Sequence, residues 1–119
     1  MYAVIFQVEP KSGRAKEYFD IAALLRSELE KIDGFISVER FESVSTPGKF
    51  VSLSFWRDEA AIHEWRAHTG HQHAQRRGRA EIFQNYRLSV VQIVRDYGML
   101  DRDEAPPPID AMWGEDFPF

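Results

Sequence analysis

Residues 2 to 8 alternate, with Tyr2, Val4, Phe6 and Val8 on one face and Ala3, Ile5 and Gln7 on the other. Both faces are mainly apolar, which predicts a strand covered on both sides. After a loop at Lys11-Ser12-Gly13 the period becomes helical: Ala15, Tyr18, Phe19, Ala22, Leu25, Leu29 and Ile32 form a stripe, with Arg14, Lys16, Glu17, Glu28 and Glu30 largely off it. This is an amphipathic helix of about five turns, ended by Asp33-Gly34. Phe35 to Val44 and Phe50 to Trp56 read as strands around Ser45-Thr46-Pro47-Gly48-Lys49, whose Pro-Gly pair suits a hairpin turn. Asp58 is placed to cap a second helix that turns Ala61, Ile62 and Trp65 inward. Thr69-Gly70 breaks that helix, a further helix runs from about His71 to Phe83, and Tyr86 to Tyr97 forms a long strand. Leu88, Val90, Val91, Ile93 and Val94 put apolar groups on both of its faces.

The order β-α-β-β-α-(α)-β predicts an α+β fold: a ferredoxin-like βαββαβ antiparallel sheet with helices on one face. Strands that are apolar on both faces then need a second covering layer. The economical source is a second subunit, two sheets meeting face to face in a two-fold homodimer; the competing source is the chain's own tail. The domain is expected over residues 1–98. Residues 99–119 form a tail with Pro106-Pro107-Pro108, Ile109, Met112, Trp113, Phe117 and Phe119, too apolar for a solvated segment, so part of it should dock.

A chain of 119 residues is a single domain by length, and the absence of cysteine removes disulfides, thiolate metal sites and cysteine nucleophiles. The start, Met1 to Gln7, has no basic n-region and meets Glu9-Pro10 after too short an apolar run for a signal peptide or membrane span, so a cytoplasmic location is expected. A formal charge of −4, with one small basic cluster at Arg76, Arg77 and Arg79, predicts neither nucleic acid nor membrane as partner.

All four histidines lie between positions 63 and 73. His63 and His68 should fall on different sides of their helix, and His71 and His73 are badly spaced for helical ligands; with no carboxylate to complete a set, no metal site is expected. On helical spacing His71, Ala74, Gln75, Gly78, Arg79 and Ile82 share one face. His71 and Gln75 then meet an apolar interior and must find partners. Either they line a pocket and orient a phenolic or quinone-like ligand, or they bind backbone carbonyls or Tyr86 and tie the helix down. Trp65 divides the same way, as core anchor or as wall for an aromatic ligand. Arg57, Arg66, Arg76 and Arg77 read as a solvated face, and His63, His68 and His73 as surface or structural groups. Glu39 and Glu42 lie on opposite faces of a strand, so no hydrolytic carboxylate pair forms, and neither a nucleophile elbow nor a phosphate loop occurs.

The run Ser54-Phe55-Trp56-Arg57-Asp58, the Trp65 helix, His71 with Ala74-Gln75, Gly78-Arg79, Tyr86 and the closing Val94-Arg95-Asp96-Tyr97 resemble the antibiotic biosynthesis monooxygenase (ABM) domain family over residues 1 to 98. That resemblance implies a dimeric α+β barrel with a pocket in each subunit between sheet and helices. It further implies a monooxygenase acting on a hydrophobic aromatic small molecule without a tightly bound cofactor. His71 would be the base, Gln75 and Arg79 would orient or stabilise the anion, and Trp65, Tyr86 and Phe6 would line the substrate pocket. The haem-degrading branch of that family uses an asparagine, a tryptophan and an axial histidine; Trp65 matches, but Phe6 and Gln75 stand at the other two positions, so no haem is expected. A non-catalytic small-molecule-binding or stress-related dimer is the alternative.

Overall fold

The computed structural model describes residues 1–107. Strand β1 (Tyr2–Pro10) leads into helix α1 (Ala15–Glu30), strands β2 (Phe35–Glu42) and β3 (Phe50–Trp56), helices α2 (Glu59–Ala67) and α3 (Thr69–Arg77), a π-helical turn (Gly78–Ile82) and strand β4 (Phe83–Gln92). The four strands form one antiparallel sheet in the order β2-β3-β1-β4. This is the ferredoxin-like α+β arrangement predicted from the chain, with β2 and β4 as its edges.

Several boundaries differ from the sequence reading for local reasons. The break between α2 and α3 falls at His68, whose extended backbone (ψ 130°) separates the helices, and not at Thr69-Gly70. Strand β4 begins at Phe83 rather than Tyr86 and stops at Gln92 rather than Tyr97, because its partner β1 starts at Tyr2, opposite Gln92. Its start is set by Pro10, which lacks a ladder N–H and coincides with a register shift between Glu9 and Pro10. Strand β2 likewise ends at Glu42, before Val44, as the chain tightens into the hairpin turn where the Glu42 carboxylate accepts from Gly48 N–H. Helix α1 ends near the expected point: Gly34 supplies the left-handed conformation (φ 95°) that turns the chain into β2. Asp58 does cap α2, accepting from Ala61 N–H at 2.9 Å. Of the tail, Ile109, Met112, Trp113, Phe117 and Phe119 lie outside the described residues.

The side of the sheet under the helices carries two separate apolar clusters. One joins Leu29, Ile32, Trp56, Ala61 and Trp65; the other joins Val8, Tyr18 and Ile82, with Phe6, Phe50 and Phe83 packed against it. Between them the same face of β3 presents Ser52 and Ser54 instead of large apolar groups, while its apolar residues Val51, Leu53 and Phe55 point the other way. A bulge at Ile36 sets the phase of β2: Phe35 pairs with Trp56 and Ser37 with Phe55, so Phe35, Val38 and Arg40 all lie on the helix-covered face. Phe35 there meets the Trp56 ring edge-on at 5.3 Å.

Gly78 fixes the approach of the last helical segment to β4. A methyl group at its Cα would stand 2.5 Å from Phe83 Cε2 and 2.8 Å from Cζ, and Phe83 is itself packed against the rings of Phe6, Tyr18 and Tyr86. Gly78→Ala should therefore destabilise the fold by about 1–3 kcal/mol. Urea denaturation is the check: Phe83→Leu in the same chain should restore part of the loss, and no loss in Gly78→Ala would contradict this packing.

Candidate functional site

Because the two clusters do not merge, a cavity of about 510 Å³ remains between the sheet and the helices. Its floor is the helix-facing row of the strands: Val4 and Phe6 of β1, Val38 and Arg40 of β2, Ser52 and Ser54 of β3, Leu88 and Val90 of β4. Helix α1 roofs it with Leu25 and Leu29, and α2 contributes Trp65, Ile62, His63 and Arg66. The face predicted on helical spacing, His71, Ala74, Gln75, Gly78, Arg79 and Ile82, lines it as well, as do Phe6 and Tyr86. Tyr86, Leu88 and Val90 are 43%, 49% and 44% exposed, so the cavity opens along the β4 edge.

His71 is the best-defined polar group in it. Its ring stacks on the Trp65 indole at 4.6 Å with an interplanar angle of 15°. Its Nδ1 lies 3.0 Å from the Trp65 carbonyl oxygen. A carbonyl can only accept, so Nδ1 carries the proton and the neutral ring has its lone pair on Nε2. Burial holds the His71 pKa below the ordinary histidine value; the Trp65 carbonyl opposes that shift, and the neighbouring His68 adds to it. The neutral imidazole is therefore the state present near neutral pH, a base by composition and geometry.

Trp65 is both core and wall: 9% exposed, packed in the first cluster, and facing the cavity. His68 lies against the same indole at 5.1 Å, with its Nε2 3.6 Å from Glu28 and its buried Nδ1 without a partner. Gln75 and Arg79 reach the cavity from α3 and the π-helical turn; Arg79 makes no ion pair among the described residues. His73 is exposed. Arg57, Arg66, Arg76 and Arg77 are all exposed, as expected of a solvated face; Arg57 pairs there with Asp33 and Asp58, and Arg77 with Glu17 and Glu81, while Arg66 and His63 also border the cavity. Among the described residues no group of three His, Asp or Glu side chains is placed to hold a metal ion.

Sequence reasoning found Phe6 but missed the polar part of the floor. Ser54 is buried and accepts a 2.9 Å hydrogen bond from Trp56 Nε1, which leaves its own hydroxyl proton to donate. Arg40 is the cross-strand partner of Ser52, and its Nε is buried without a hydrogen-bond partner. Ser52, Ser54 and Trp56 recur at strand spacing, the one available signal of a polar inward face; Arg40 gave none, because the bulge that sets its phase is not visible in the residue pattern.

Fold and cavity together define a ferredoxin-like α+β domain with a chamber under its helices. A family model described as Antibiotic biosynthesis monooxygenase matches residues 1–77, and this chain belongs to that family. It is 45% identical over 93 residues to a Pyricularia oryzae protein named Jasmonate monooxygenase ABM, a match covering 78% of this chain but 43% of that protein. It is 33% identical over 94 residues to YqjZ of Bacillus subtilis, covering 79% of this chain and 80% of YqjZ. In fold it is similar to Rv0793 of Mycobacterium tuberculosis (TM-score 0.72, 17% identity, 82% of this chain and 98% of that one). A Deinococcus radiodurans structure described as an antibiotic biosynthesis monooxygenase gives a TM-score of 0.71 at 15% identity, covering 84% and 99% of the two chains. No helix among the described residues is long and apolar enough to cross a membrane.

The depressed His71 pKa has a signed consequence. The unfolded chain takes up this proton at the ordinary histidine value of about 6.5, the folded chain only at lower pH. The contribution is thus fully present above that value and lost as pH falls through the folded one. In urea titrations between about pH 7.5 and 5.5, the native protein should lose more stability than His71→Gln. An identical loss in both would contradict the desolvated, neutral state.

Proposed function

We propose that this protein is a monooxygenase that oxidises a hydrophobic, electron-rich aromatic molecule, a phenol in the simplest case, without a tightly bound cofactor. The observation that carries the proposal is His71: a half-buried neutral imidazole, fixed by the Trp65 carbonyl, whose unprotonated nitrogen belongs to a ring lining an otherwise largely apolar cavity. Family membership supports the reaction class, and the Pyricularia oryzae relative is named a monooxygenase.

The chemistry balances without an external reductant. His71 Nε2 removes the phenolic proton; the phenolate transfers an electron to dioxygen, and the two radicals combine to form a carbon–oxygen bond at the ring position para to the oxygen. Loss of water from that peroxide leaves a second carbonyl. For 1-naphthol the sum is naphthol plus dioxygen giving 1,4-naphthoquinone plus water. One oxygen atom enters the product, the other leaves as water, and the substrate supplies all the electrons. Exclusion of water around the anion favours the electron transfer. Gln75 and Arg79 are assigned to orienting and stabilising the phenolate, Trp65, Tyr86 and Phe6 to the aromatic walls.

Oxygen uptake with 1-naphthol under isotopically labelled dioxygen tests this. One labelled atom should enter the quinone, and His71→Ala should lower kcat/KM by roughly 10²-fold or more. No turnover and no thermal shift with a panel of naphthols and hydroquinones would overturn it. Binding without oxidation would leave a non-catalytic binding protein.

The proposal includes a two-fold homodimer. The face of the sheet away from the helices carries Ile5, Val51, Leu53, Phe55 and Val91, with Phe41 and Ile36 47% and 52% exposed beside them. Such an apolar patch, with Ser37, Glu39 and Ser89 set among its residues, favours a matching second sheet. Sedimentation should give twice the chain mass of 13.9 kDa, and Leu53→Glu should give a single chain. A native protein that sediments as one chain at micromolar concentration would contradict the dimer.

A further inference from the structure

We propose that the ligand of this cavity carries a carboxylate, bound at the β2 end of the chamber by the Arg40 guanidinium with the Ser52 hydroxyl as a second donor. This rests on the aromatic-ligand reading above and adds a second polar group to that ligand.

Among the described residues Arg40 is the arginine with a buried side-chain nitrogen that has no partner. It projects from β2 into the chamber, its Nε is buried without a partner, and its guanidinium makes no hydrogen bond or ion pair among the described residues. Arg14, Arg26, Arg57 and Arg77, by contrast, each meet a carboxylate at 2.9–3.2 Å on the surface. Arg40 is half-buried, and a guanidinium nitrogen removed from water without a hydrogen-bond partner is costly. An anionic ligand supplies the missing partner.

The rest of the lining points the same way. Its charged groups besides the histidines are Arg40, Arg66 and Arg79 against Glu59, whose carboxylate lies 4.0 Å from His63. An excess of positive charge within a protein of formal charge −4 concentrates an anion in the chamber. A carboxylate is the anion that fits: one planar guanidinium matches one carboxylate in a two-point contact, and the nearby Val4, Phe6 and Val38 offer nothing to a dianion. Arg40, Ser52, Phe6 and Leu88 occupy one row across the sheet. Three strand spacings make that row about 14 Å long, enough for a two-ring acid lying across it.

Calorimetric titration of the full chain with 6-hydroxy-2-naphthoate, its methyl ester and 2-naphthol tests the assignment. The native protein should bind the acid about 10- to 100-fold more tightly than the ester. Arg40→Met should erase that preference while leaving the ester and 2-naphthol affinities unchanged; Arg40→Lys should keep part of it, and Ser52→Ala should reduce it. Equal affinity of native protein for acid and ester, or an equal loss for all three ligands in Arg40→Met, would overturn the carboxylate site and leave the aromatic reading standing. Binding of none of the three would remove both. If Arg40→Met does not fold, the acid-against-ester comparison in the native protein and in Arg40→Lys decides.

Discussion

The helix-covered face of the sheet cannot close into one core, and most of what is distinctive here depends on that. Large apolar groups gather at its two ends, around Trp56 and around Val8, but the strands between them carry Ser52, Ser54 and Arg40. Small hydroxyl side chains fill little volume, and an arginine cannot be packed over by hydrocarbon without a partner. Helices α1 and α3 therefore bridge a gap. Stability comes from the two clusters, and the space between them is left as a lined chamber.

Within that chamber the Trp65 segment joins structure to chemistry. The indole anchors α2 in the first cluster, the backbone carbonyl of the same residue fixes the His71 tautomer, and the imidazole stacks on the ring. The short kink at His68 makes this possible by letting α3 turn back toward α2. Gly78 then brings the following turn against Phe83, so that Gln75 and Arg79 stay in register with His71 along one side of the cavity.

Much of this was legible in the residues and some was not. The strand and helix order followed from the change of apolar period, and the Asp58 cap and Gly34 turn from residue types with one strong local preference. The helical row from His71 to Ile82 was readable because Ala74 and Gly78 mark its close-packed side. The limits of β2 and β4 were not, since a strand stops where its partner stops, and that is a property of pairing rather than of the strand itself. Arg40 was hidden for a related reason: one bulged residue reverses the phase of β2, and a residue pattern in which both faces are mixed does not reveal it.

The direct test of a divided core with a ligand chamber is diffraction from crystals grown with 1-naphthol. Ring density between the Trp56 and Val8 clusters, in contact with Phe6 and Leu88 and with the hydroxyl toward His71 Nε2, is the predicted result. A chamber closed by its own side chains at ordinary packing density, with naphthol elsewhere or absent, would contradict it.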